Sequence, residues 1–87
     1  MALQRDVDPA HPTTDDVMAA AGVARRTVQV WVERGLLPAP RRVVIAGVVF
    51  TRFPAWAIER ARFVVKQRAE GLSTAEVRSM LDMMGVR

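Results

Sequence analysis

Cysteine and tyrosine are missing from this 87-residue sequence, and histidine occurs once. Without cysteine no disulfide or thiolate metal site can staple the fold. His11 sits between Ala10 and Pro12 with no ligand partner nearby, so no metal centre is expected. Serine is confined to Ser73 and Ser79, no glycine-rich phosphate loop is present, and the acids are scattered, mostly beside arginines. A nucleophile, its base and an oxyanion stabiliser therefore find no constellation here, and the expectation is no catalytic residue, no cofactor and no enzyme. Long hydrophobic runs are lacking too. The longest, Val43 to Phe50, falls far short of the roughly 18 residues of a membrane span. The N-terminus has no basic segment followed by an apolar stretch, so no secretory signal is expected. These absences lead to the expectation of a soluble cytoplasmic protein with no membrane partner.

What is present is mostly apolar surface and arginine. Hydrophobic residues make up 51% and charged residues 25%, which suits one small globular domain. The net charge of +4 is unevenly placed. Residues 1–24 carry one arginine against four aspartates, whereas residues 25–52 carry six arginines against a single glutamate. An acidic start beside a basic middle points to a directed surface for a polyanion.

Residues 1–12 have two prolines and no apolar periodicity, and are expected to form a mobile N-terminal arm ahead of a domain over 13–87. A first helix is predicted from about Thr14 to Ala21, capped by Thr13 or Thr14, with Asp15 and Asp16 at its positive end and Gly22 closing it. A second is predicted from Arg25 to Arg34, closed by Gly35. Val28, Trp31 and Val32 fall on its apolar side, and Arg26, Gln29, Val30, Glu33 and Arg34 on the other. The intervening Gly22-Val23-Ala24 is as short as a helix-turn-helix requires. Pro38-Ala39-Pro40 stops further helix. Residues 41–53, rich in β-branched side chains and broken at Ala46-Gly47, are predicted to form a β-hairpin. A third helix is expected from near Pro54 to before Gly71, with Ala57, Ile58, Ala61, Val64 and Val65 inward and Arg60, Arg62, Lys66 and Arg68 on the remainder. A fourth opens on the capping box Ser73-Thr74-Ala75-Glu76 and places Val77, Met80, Leu81 and Met84 on one stripe. The expected fold is mainly α, four helices with a small hairpin wing: a winged helix-turn-helix.

The outward face of the second helix carries the candidate chemistry. A major groove about 12 Å wide admits one helix. Arg26 can pair bidentately with guanine and Gln29 with adenine, while Val30 can pack on a thymine methyl. Arg25 and Thr27 flank that face and suit phosphates, which set register rather than sequence, and Arg34, on the outward face, is a further DNA-binding candidate. Trp31 lies at its edge, better placed for the core than for contact, with an indole N–H able to reach a phosphate. Arg41, Arg42 and Arg52 stand near the base of the hairpin, within reach of the backbone or a neighbouring minor groove. The hairpin tip, with Val44, Ile45, Val48 and Val49, is unusually apolar and reads as an edge for a protein partner. The plainer alternatives are an ordinary amphipathic surface helix and a hairpin that covers the core.

Two ordered segments carry a family resemblance. One is Ala21-Gly22-Val23, Arg26-Thr27 and Glu33-Arg34-Gly35-Leu36-Leu37-Pro38. The other is Phe63-Val64, Ala69-Glu70-Gly71-Leu72-Ser73 and Glu76-Val77-Arg78. Over about Thr14 to Met84 the chain resembles the DNA-binding domain of the MerR family, the mercury-resistance-type bacterial regulators. The resemblance implies a winged helix-turn-helix with a second helix pair, DNA contacts from the second helix and the wing, and transcription control from paired half-sites, in a cytoplasmic, nucleoid-associated protein. By position it makes Arg26, Thr27, Gln29, Val30 and Trp31 the recognition-helix candidates. Gln29-Val30-Trp31 stands where the family often has Arg-Tyr-Tyr, Arg52 is displaced by one position, and the wing is about three residues longer. The sequence ends at Arg87, before the long dimerising helix and effector domain of typical members, so effector sensing and coiled-coil dimerisation have no support within it. Three functions are open on this reading: a sequence-specific DNA-binding regulator, an excisionase-like architectural DNA binder, and a winged-helix module that contacts proteins or a second copy through its apolar wing.

Overall fold

The computed structural model describes residues 11–85. Their order is α1 (Thr14–Ala21), α2 (Arg25–Glu33), β1 (Arg41–Ile45), β2 (Val48–Arg52), α3 (Ala57–Ala69) and α4 (Thr74–Met83). This is the predicted winged helix-turn-helix, mostly helical with four helices and one hairpin. The arm expected over 1–12 lies almost wholly outside the described residues. At its described end, the Pro12 carbonyl accepts a 2.8 Å bond from the Phe53 N–H at the end of the wing.

α1 begins where the sequence offers a cap. Thr13 Oγ1 accepts from the Asp16 N–H at 3.0 Å, and Asp16 Oδ2 accepts from the Thr13 N–H at 2.9 Å. These bonds from Thr13, first its backbone and then its side chain, hold the Asp16 carboxyl below its ordinary pKa. Gly22 ends the helix with φ 69°, and its N–H donates to the Met18 carbonyl at 2.8 Å. A left-handed residue turns the chain sharply enough for α2 to start at Arg25.

α1 packs on α2 and α3, and α3 packs on α4. One apolar cluster fills the space between them: Val17 of α1, Val28 and Trp31 of α2, Leu36 and Leu37 after it, Phe53 after the wing, Ala57, Ala61 and Val64 of α3, and Val77 and Leu81 of α4. Leu36 is fully buried, which removes enough apolar surface to stabilise the fold by about 1.5–3 kcal/mol. The alanines on α3 let the helices approach closely while adding little rotamer entropy to the cost of folding.

Three details differ from the sequence expectation. α3 starts at Ala57 rather than near Pro54, because residues 54–57 close a separate turn in which the Ala57 N–H donates to the Pro54 carbonyl at 3.0 Å. Arg60, expected on the outer arc, is only 7% exposed. Its guanidinium lies 4.9 Å from the Trp56 ring centroid and donates from Nη1 to the Leu36 carbonyl at 3.4 Å. Burial lowers its pKa from the ordinary arginine value. Met84, placed on the inward stripe of α4, is exposed beyond the last helical residue, and the core contacts of that helix come from Val77 and Leu81.

The hairpin is antiparallel, with Arg41 opposite Arg52, Arg42 opposite Thr51, Val44 opposite Val49 and Ile45 opposite Val48. Its two-residue loop has φ 52° at Ala46 and 81° at Gly47, the signs of a type I′ turn. The strands pack broadly on each other and on no helix. The hairpin is therefore a projecting wing and not a lid over the core.

Candidate nucleic-acid interface

α2 divides into a buried and an open side. Val28 and Trp31 enter the core, whereas Arg26, Gln29 and Glu33 are exposed one turn apart along the opposite side. Val30, grouped with that open side from the sequence, is half-buried and packs against the core cluster. Trp31 is 5% exposed and belongs to the core. The helix side that is free to meet a ligand is thus narrower than periodicity indicated, because Val30 turns partly into the core cluster.

That flank forms a groove of about 490 Å³ lined by Arg26, Thr27, Val30, Trp31 and Arg34 of α2 and its C-terminal end, Val65 and Arg68 of α3, and Thr74 of α4. Three guanidinium groups and two hydroxyls thus surround a small apolar floor. Arg34 Nη1 donates to Thr74 Oγ1 at 3.4 Å, and Arg68 Nη1 to the Leu72 carbonyl at 2.8 Å. Arg68 and Thr74 were not singled out from the sequence. They lie on the second helix pair, and only the tertiary arrangement, which sets Val65, Arg68 and Thr74 around one groove with α2, brings them to this surface.

The remaining candidates are distributed around the groove and the wing. Arg25 is exposed at the start of α2 but is tied to α1 by an ion pair with Asp15, Nη2 to Oδ1 at 2.7 Å. With both side chains more than half exposed, such a pair is screened and is worth at most about 1 kcal/mol. Arg25 can therefore exchange Asp15 for a stronger anion. Arg41 and Arg52 stand opposite each other at the root of the wing, with Arg42 on the other face of β1. Arg52 lies 5.3 Å from the Phe50 ring centroid and donates from Nη1 to the Thr51 carbonyl at 3.0 Å. No acid occurs between Glu33 and Glu59, so the wing and its connections present one sign of charge. At the tip, Val44, Val48 and Val49 are 52–64% exposed, and Ile45 is half-buried.

Among the described residues, no group of histidine, cysteine or acidic side chains is arranged to bind a metal. No helix among them is long and apolar enough to cross a membrane.

No curated protein sequence matches the chain. A solved structure, that of the transcription regulator PbrR691 from Ralstonia metallidurans CH34 in complex with lead(II), shares the fold with a TM-score of 0.69 at 23% identity. The similarity covers 85% of this chain and 55% of that one, so the sequence spans about half the length of that regulator. The profile of the MerR HTH family of regulatory proteins matches residues 13–84, through the helix pair, the wing and both later helices. By that match the chain belongs to the MerR HTH family of regulatory proteins.

Proposed function

We propose that this protein regulates transcription by binding double-stranded DNA, with α2 entering the major groove and the wing lying along the adjacent backbone or minor groove. Membership in a family of helix-turn-helix regulators supports a DNA-binding role and not an enzymatic one. The observation that carries the finer reading is the open side of α2, where Arg26 and Gln29 are exposed beside the arginines of the groove. A helix with its side chains is about 10–12 Å across, close to the width of the major groove. In this reading Arg26 and Gln29 read base edges. Arg25, Thr27, Arg34 and Arg68 contact phosphates on the flanks, and Arg41, Arg42 and Arg52 do so from the wing. Val30 and Trp31 form part of the apolar floor of the protein's own groove. Two copies would occupy paired half-sites.

The test is fluorescence anisotropy of duplex DNA across a salt series, followed by site selection. Counterion release makes affinity fall steeply as salt rises. Arg26→Ala should weaken binding by about 1–3 kcal/mol and relax the preference at one base position. Binding indifferent both to salt and to that substitution would overturn the proposal.

The exposed valines of the wing favour a second role, as a contact for a protein partner or a neighbouring copy. Replacing Ile45 and Val48 with glutamate should then abolish cooperative assembly or partner capture. Assembly unaffected by those changes removes this reading.

A further inference from the structure

The C-terminal end of α2 is held from a distant part of the chain. Arg78 of α4 reaches back across the domain, and its Nη1 donates to the Arg34 carbonyl at 3.0 Å. Its Nε donates to Asp82 Oδ1 at 3.1 Å, one turn further along α4, which orients the guanidinium plane. The Arg34 side chain in turn meets Thr74 Oγ1 at the first residue of α4. α4 therefore grips Arg34 by both its main chain and its side chain.

Gly35 makes this approach possible. It sits at φ 77°, and a Cβ at that position would collide with the Arg78 guanidinium. The glycine thus turns the chain out of the helix and also vacates the space that the arginine fills. α2 has no basic residue in its own last turn. A cation there hydrogen-bonds the open carbonyls and complements the negative end of the helix dipole. Arg78 supplies that cation from another helix.

We propose that Arg78 is a positioning residue for DNA recognition: through Arg34 and Gly35 it fixes the end of α2, and with it the angle at which Arg26 and Gln29 are offered and the placement of the Arg34 guanidinium. The inference rests on the reading of α2 as the recognition helix. It makes the orientation of α4 a determinant of how tightly DNA is bound, although Arg78 itself need not touch DNA.

The experiment compares Arg78→Ala, Arg78→Lys, Gly35→Ala, the Gly35→Ala/Arg78→Ala pair and Arg26→Ala in the full chain. Duplex anisotropy, thermal melting and amide hydrogen exchange of the free protein are measured for each. Arg78→Ala should lower duplex affinity several-fold and speed exchange at Gly35, Leu36 and Leu37, with only a small change in melting temperature. Arg78→Lys should recover part of the affinity, because it restores charge at the helix end but not the paired donors. Gly35→Ala should reproduce the loss by expelling the guanidinium, and the double variant should lose little more than Gly35→Ala alone. The proposal is overturned if Arg78→Ala leaves affinity and exchange unchanged while Arg26→Ala weakens binding. It is also overturned if affinity falls only in step with melting temperature and lysine restores nothing, or if the two substitutions add independently. Should the unmodified chain show no salt-dependent duplex binding, the DNA reading fails by itself, and faster exchange at Leu36 and Leu37 in Arg78→Ala still shows that Arg78 holds α2, whereas unchanged exchange shows that it does not.

Discussion

Replacing Ala46 with asparagine should tighten the wing. Ala46 is the one non-glycine among the described residues with positive φ. An L-residue with a Cβ held in that left-handed region costs roughly 1–2 kcal/mol. Asparagine tolerates it better because its amide hydrogen-bonds the local backbone, and Asn-Gly is the favoured pair for a type I′ loop. Recovering about 1 kcal/mol of that strain makes opening of the hairpin about fivefold rarer. Because the strain belongs to the folded state, the gain also enters global stability, and melting temperature should rise by about 4–8 °C. Native-state hydrogen exchange of the paired amides in β1 and β2 should slow by about that fivefold factor. Ala46→Gly should give a smaller gain, since removing the Cβ also enlarges the entropy of the unfolded chain. Exchange no slower in Ala46→Asn than in the unmodified chain would show that the left-handed alanine carries no strain, and the reasoning would be wrong.

Other parts of the structure make equally definite predictions. Leu36→Ala empties a fully buried site and should cost about 2–5 kcal/mol in urea unfolding; a loss below 1 kcal/mol would mean that the core there is loosely packed. Ser73→Ala removes the α4 cap, in which Ser73 Oγ accepts from the Glu76 N–H at 3.1 Å, and should cost about 1 kcal/mol; an unchanged urea midpoint would contradict it. Acid should destabilise the protein through the two capping carboxylates. Hydrogen bonds from Ser73 lower the Glu76 pKa from 4.5, and those from Thr13 lower the Asp16 pKa from 3.8. The unfolded chain takes up these protons first as pH falls, so the stabilisation is complete above the unfolded values and is lost as pH drops through the lower folded ones. Melting temperature should decline below about pH 4.5, and the Asp16→Asn/Glu76→Gln variant should show a shallower decline.

The local signals in the sequence located the elements well. Thr13 and Ser73, each three residues ahead of an acid, mark the starts of α1 and α4. Gly22 and Gly35 mark the ends of the two helices of the helix-turn-helix, and Ala46-Gly47 marks the hairpin loop. These features depend on residues a few positions apart, which a one-dimensional reading can see. The site was less legible because it depends on how helices meet. Periodicity set Val30 on the open side of α2, but part of its side chain packs against the core cluster. It set Arg60 outward, but Trp56 and the Leu36 carbonyl receive its long stem and guanidinium where a shorter polar side chain would stay in water. Arg68, Thr74 and Arg78 drew no notice as neighbours of α2, since nothing within their own helices distinguishes them from solvated residues.

The bond between Pro12 and Phe53 bears on how this unit can be transplanted. It ties the chain entering α1 to the exit of the wing, so the hairpin is held to the helix-turn-helix at its exit as well as through the chain that leads into it. A chain begun at residue 13, where similarity to the family begins, would leave the Phe53 amide without its acceptor and unlatch the wing root. A unit that begins at or before Pro12 keeps the latch closed, and leaves the exposed positions of α2 open to substitution.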